Sequence, residues 1–102
     1  MTYKDLSPKE FKEGIEQDSN SIILDVRTPA EIVEGNINGH LAINIMNPIF
    51  PEKIKELDKD KSYYIYCRSG NRSAQACKYM LTLGFTNLYN LKGGYMAWED
   101  EF

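Results

Sequence analysis

The chain has 102 residues, 42% apolar and 26% charged, with a formal charge of -3, an ordinary balance for a soluble globular protein. That length gives one core, a single domain over residues 1–102, and such a chain buries roughly two-thirds of its unfolded surface, so it can fold without disulfide or metal staples. Acidic and basic residues are interspersed, which argues against nucleic acid because phosphate binding needs a basic face or stripe. No apolar run is long enough to span a bilayer and the N-terminus carries no apolar leader, so the expectation is a cytoplasmic protein with no membrane partner. One histidine, His40, and two cysteines, Cys67 and Cys77, are too few for a closed zinc site without carboxylate help. Neither a metal nor another cofactor is expected.

In chain order, the first residues lead straight into a helix start at Ser7-Pro8-Lys9-Glu10. Ser7 suits the N-cap, Pro8 the first helical position and Glu10 the reciprocal cap, with Leu6 and Phe11 spaced as a hydrophobic staple. Ile22-Ile23-Leu24-Asp25-Val26 is a nearly continuous apolar run, the pattern of a strand covered on both faces. Thr28-Pro29-Ala30-Glu31 repeats the capping box and opens a short helix. Ala42-Ile43-Asn44-Ile45 reads as a further strand, and Pro51 to Leu57 as a helix with Ile54 and Leu57 inward. Tyr63-Tyr64-Ile65-Tyr66 is a strand that runs into Cys67; its aromatics are expected to pack the sheet. Arg72 to Leu83 is the strongest helix, with Ala74, Cys77 and Leu81 sharing a face and Gly84 as its left-handed stop. Asn87 to Leu91 is the last strand, followed by Gly93-Gly94 and a short helix through Trp98.

Strands alternating with helices give βα units and a mainly parallel α/β sheet. In such sheets ligands sit beyond the carboxyl ends of the strands. Asp25, Cys67 and Gly93-Gly94 all fall at those ends. The segment that carries chemistry is Cys67-Arg68-Ser69-Gly70-Asn71-Arg72-Ser73, which joins a buried strand to a helix. A thiol there faces unpaired helical N–H groups and the positive end of the dipole. Gly70 supplies the positive φ that lets successive amides curl around one point, while Arg68 and Arg72 add positive charge. Such surroundings lower a cysteine pKa and favour the nucleophilic thiolate. A merely packed strand end would not carry two arginines and so many small polar residues.

These residues resemble the active-site loop of rhodanese-like sulfurtransferases, C-R-x-G-x-R-S/T, matched at Cys67, Arg68, Gly70, Arg72 and Ser73. Leu24-Asp25-Val26-Arg27-Thr28-Pro29-Ala30-Glu31 is similar to that family's D-V-R-x-x-x-E segment, and Leu91-Lys92-Gly93-Gly94 with Trp98 is similar to its L-x-G-G-x-x-x-W segment. One stretch departs: Gly35 to Asn44 is longer by two residues than the family's G-H-I-x-G-A-x-N. The resemblance implies the rhodanese-like fold, a five-stranded, mainly parallel sheet with helices on both faces. It also implies double displacement. Cys67 takes sulfane sulfur from a small anionic donor such as thiosulfate or another persulfide, and passes it to a thiol or cyanide.

On this reading the amides of Arg68, Ser69, Gly70, Asn71, Arg72 and Ser73 hold the transferred sulfur, as an oxyanion hole holds an oxygen. Arg68 steers the donor and Arg72 buttresses the loop or helps bind the anion. Asp25, Arg27, Gly93 and Gly94 support: Asp25 on loop amides or in an ion pair, Arg27 structurally, and the glycines by letting backbone approach the loop. His40 needs no catalytic part, and Cys77 fills the inner helix face. Two alternatives use the same thiol. One is a sulfur relay or regulatory module acting on an acceptor protein. The other is a cysteine phosphatase or arsenate reductase, which carries C-x5-R where this chain has C-x4-R; the shorter ring suits one sulfur atom better than a tetrahedral oxyanion.

Overall fold

The computed structural model describes residues 2–102. Both expected capping boxes form. Ser7 Oγ accepts the Glu10 N–H at 3.2 Å and Glu10 accepts the Ser7 N–H at 2.9 Å, opening α1 (Pro8–Gln17). Thr28 and Glu31 make the same exchange at α2 (Pro29–Glu34). Each box satisfies two amides that the helix leaves unpaired and fixes where the chain turns off the preceding strand.

Five strands, β1 (Lys4–Leu6), β2 (Ser21–Asp25), β3 (Leu41–Ala42), β4 (Ser62–Tyr66) and β5 (Leu88–Leu91), form one sheet in the order β1-β5-β4-β2-β3. Every neighbouring pair is parallel. β4 lies at the centre and is buried along its whole length. Its side chains alternate, as strand geometry requires. Tyr63 and Ile65 join Leu24, Val26 and Met80 on one face, and Tyr64 and Tyr66 join Phe11 and Leu91 on the other. Covering the first face are α3 (Phe50–Lys55), through Phe50 and Ile54, and α4 (Asn71–Thr82). The second is covered by α1 and α5 (Gly94–Glu101). Helices therefore flank both faces, as expected. Among the described residues no helix is long and apolar enough to cross a membrane.

Three sequence expectations change. β1 precedes the first helix, where the sequence pattern showed only a lead-in. It has three residues with Lys4 and Asp5 exposed, so it carries no apolar alternation and exists through its backbone pairing to β5. The strand expected over Ala42–Ile45 is regular only at Leu41–Ala42. Beyond it the ladder continues as single bonds, Ile43 N–H to Asp25 O at 2.9 Å and Ile45 N–H to Val26 O at 3.0 Å. Asn44 Oδ1 then takes the Met46 N–H at 2.9 Å and turns the chain away, a local contact that competes with the ladder. In α4 the buried stripe is Ser73, Ala76, Cys77 and Met80, with Ala74 and Leu81 only half-buried. The helix is rotated so that Ser73 faces the end of β4. Gly84, at φ 96°, stops it as expected.

Candidate active site

The end of β4 delivers Cys67 and α4 begins at Asn71, leaving Arg68-Ser69-Gly70 to make the bend. Gly70 caps α4 at φ 103°, a backbone state open to glycine and strained for other residues. The bend brings three donors to one atom. Cys67 Sγ accepts the Gly70 N–H at 3.1 Å, the Ser73 N–H at 3.4 Å and the Ser73 hydroxyl at 3.3 Å. The cysteine is fully buried. Burial pushes its pKa up, but hydrogen bonds from the Ser73 hydroxyl and from the Ser73, Gly70 and Ser69 amides outweigh it, and the thiol lies below its ordinary value. The site therefore stabilises an anion by hydrogen bonding in a dry setting, where each such contact counts for more than in water.

The donors face inward because the loop carbonyls are held outward. Tyr95 N–H donates to Cys67 O at 2.8 Å and Met96 N–H to Arg68 O at 3.1 Å. In a planar trans peptide the carbonyl and the next N–H point opposite ways. Holding the Arg68 carbonyl on α5 thus turns the Ser69 N–H to the sulfur side. The first turn of α5 is the mould of the loop, and it must come very close. A Cβ on Gly94, at φ 63°, would lie 2.3 Å from Arg68 O and 2.5 Å from Ser69 N. Gly93 meets a different limit, since a Cβ there would lie 2.7 Å from the Ala97 methyl. Gly94 is the glycine at the contact with the loop, whereas Gly93 is kept small by Ala97 of α5 itself.

The charged residues are arranged differently from the simple sequence picture. Arg72 donates Nη1 and Nη2 to Glu31 at 2.8 and 2.7 Å, so its guanidinium is spent on α2. The paired guanidinium holds the Glu31 carboxyl at about 2. Arg68 is exposed, with no ion pair among the described residues. It lines a cavity of about 170 Å³ together with Glu31, Glu34, Tyr95, Met96 and Glu99. The donors on Sγ are therefore amides and a hydroxyl. Ser69 and Asn71 are exposed; Ser69 acts on the sulfur through its amide, and Asn71 makes no hydrogen bond to it.

Asp25 and Arg27 form a buried pair. Arg27 Nη2 and Nε donate to the two carboxylate oxygens at 2.8 and 3.0 Å, Nη2 also reaches Gly35 O at 2.7 Å, and the guanidinium carbon lies 5.2 and 4.7 Å from the ring centroids of Tyr66 and Tyr95. Of the two sequence options for Asp25, the ion pair is the one formed. It locks the β2–α2 turn against α5, which moulds the loop after Cys67. His40 Nδ1 lies 2.9 Å from Ile37 O in the loop before β3. Cys77 is a free thiol in the core whose pKa burial pushes up to about 12. Two contributors were missed. Glu31 was read as a cap and as the last residue of the D-V-R-x-x-x-E segment, with no link to Arg72. Asn90 carried no motif at all, yet its Nδ2 donates to Gly70 O at 3.3 Å.

The family model for the rhodanese-like domain matches residues 7–101. The Bacillus subtilis (strain 168) protein YtwF is 45% identical over 101 residues, covering 99% of this chain and 95% of that one. An Allochromatium vinosum protein named Sulfurtransferase is 43% identical over 77 residues, covering 76% of this chain and 70% of its own. The crystal structure of a rhodanese-related protein from Thermoplasma volcanium superposes with a TM-score of 0.85 at 34% identity, over 97% of this chain and 93% of that one. With its five-stranded parallel sheet and its cysteine loop in the matching order, this chain belongs to the rhodanese-like domain family.

Proposed function

We propose that the protein is a sulfurtransferase in which Cys67 carries sulfane sulfur as a persulfide. The observation that supports this most is the convergence of the Gly70 N–H, the Ser73 N–H and the Ser73 hydroxyl on Cys67 Sγ, a cradle for a single anionic sulfur. The Cys67 thiolate attacks the outer sulfur of thiosulfate. A bond forms between Sγ and that sulfur, the bond to the sulfonate breaks, and sulfite leaves with the electron pair. No proton moves, so no general base is required. A thiolate or cyanide acceptor then attacks the outer sulfur and leaves with it as a persulfide or thiocyanate, regenerating the Cys67 thiolate.

The loop amides serve both half-reactions, because the charge stays on sulfur throughout. Arg68, exposed and in no ion pair among the described residues, is the charge offered to the donor anion, set against the Glu31, Glu34 and Glu99 carboxylates of the same cavity. Arg72, held by Glu31 through both terminal nitrogens, is not offered to a tetrahedral oxyanion. That disfavours the phosphatase alternative. The acceptor is a thiol, and the same chemistry serves one carried by a partner protein. Intact-mass analysis after thiosulfate treatment tests the reading. The expected result is one added sulfur on Cys67, removed by cyanide and missing in Cys67→Ser; an unchanged mass, or equal loading of the variant, overturns it.

A further inference from the structure

Asn90 lies near the end of β5, opposite Asp5 of β1 and Ile65 of β4 in the sheet register. Leu88 and Leu91 of the same strand are buried apolar residues, and Asn90 itself is 3% exposed. Its Nδ2 donates to Asp5 Oδ1 at 2.9 Å and to Gly70 O at 3.3 Å. Both partners offer only acceptor oxygens, so the amide nitrogen must face them and the group cannot be flipped. Asn90 Oδ1 is thereby left buried without a hydrogen-bond partner among the described residues. An orphaned acceptor in a strand that otherwise buries apolar side chains costs stability, and packing alone does not explain it.

The contact to Gly70 does. Gly70 has the shortest hydrogen bond to Cys67 Sγ, at 3.1 Å, and a glycine backbone with no side chain of its own to pack and limit its rotation. Its carbonyl takes Asn90 Nδ2 in addition to the Ala74 N–H at 3.2 Å. We propose that Asn90 is a positioning residue for Cys67: its side-chain amide, tethered to Asp5 on β1, holds the Gly70–Asn71 peptide by its carbonyl and so limits rotation at Gly70, whose N–H, in the preceding peptide, lies on Sγ. This rests on Cys67 being the sulfur carrier. It also gives the short edge strand β1 a part in the site, through a contact that spans residues 5, 90 and 70.

The test compares Asn90→Leu with the parent chain in two measurements, the pH profile of Cys67 alkylation and the melting temperature. Leucine fills the site without adding charge and removes both the Gly70 contact and the orphaned oxygen. Asp5, Arg72 and Cys77, the neighbouring ionisable groups, stay as they are. The expected result is a melting temperature at or above the parent's, with the alkylation midpoint raised by at least ~0.5 pH unit, a threefold change in the acid constant. A purely structural residue would move the melting temperature and leave the midpoint where it was, and that result overturns the proposal. Should Asn90→Leu fail to fold, Asp5→Ala at the exposed strand position decides, with a smaller rise expected and an unmoved midpoint overturning. If the parent itself takes up no sulfur from thiosulfate, the function proposed above falls, while the midpoint comparison still tests the positioning role.

Discussion

Ser73→Ala isolates one of the three contacts on Cys67 Sγ. The hydroxyl lies 3.3 Å from the sulfur, and the substitution leaves the Ser73 N–H, at 3.4 Å, in place. A hydrogen bond to a charged group contributes about 1.5–3 kcal/mol, and one pKa unit corresponds to about 1.4 kcal/mol. At the low end, suited to a long contact with sulfur, the thiol rises by about one unit. Below both midpoints the thiolate fraction falls ~10-fold. A more basic thiolate is also a better nucleophile, with a Brønsted coefficient of about 0.4–0.5, so the alkylation rate falls only ~3-fold there. Above both midpoints it should rise by ~3-fold, and the two profiles cross. Stability follows the same sign. The folded thiol lies below its ordinary value, so its ionisation stabilises the fold above the unfolded thiol's pKa of about 8.5, and that contribution is lost as pH falls through the folded pKa. Ser73→Ala should therefore match the parent in stability well below the parent's folded midpoint and become less stable than it as pH rises through that midpoint. Iodoacetamide kinetics and urea melts across pH check both statements. Superimposable alkylation profiles would refute the claim that the hydroxyl acts on the thiolate.

Gly94→Ala must adopt positive φ and displace the Arg68–Ser69 peptide, since its Cβ would lie 2.3 Å from Arg68 O. Sulfur loading should fall at least ~10-fold, with a stability loss of ~1–2 kcal/mol from the left-handed backbone alone, read by mass and thermal melting. Glu31→Gln breaks the pair with Arg72, and its carboxyl is held at about 2. A depressed carboxylate stabilises the fold above its unfolded value of about 4.3 and loses that contribution as pH falls. The deficit, ~1–2 kcal/mol after allowing for partial exposure, should be constant at neutral pH and close toward pH ~2 in denaturant titrations. Cys77→Ala should keep most of the sulfur loading and lose ~1 kcal/mol from a small core cavity. Its thiol, raised to about 12, stays protonated while Cys67 works, and a folded but inactive variant would show a role for it in transfer.

Local signals in the sequence were the readable ones. Ser7-Glu10, Thr28-Glu31 and Gly84 each act within a turn of their own position, so spacing was enough to place α1, α2 and the end of α4. Cys67 was legible because small polar residues and arginines interrupt an apolar strand end. Contacts between distant segments were not. Glu31 meets Arg72 across 41 positions, which removes from the thiol a charge that sequence alone would assign to it. Asn90 meets Gly70 across 20 and Asp5 across 85 positions, and nothing in Leu88-Tyr89-Asn90-Leu91 marks the asparagine as other than a strand residue. β1 was hidden for a related reason. Three residues with two exposed charges form a strand only once β5 is there to pair with. The stripe of α4 was misplaced because Ser73, polar by composition, is turned inward by the sulfur it serves.

Ultraviolet titration of the thiolate at position 67, with Cys67→Ser as the blank, tests the central claim most directly: inward amides and the Ser73 hydroxyl, rather than free guanidinium groups, keep the sulfur ionised. The account predicts a midpoint clearly below the ordinary thiol value of about 8.5 that is nearly insensitive to salt, because dry hydrogen bonds are screened far less than exposed charges. A midpoint at or above the ordinary value, or a low one that climbs steeply with salt, would contradict it.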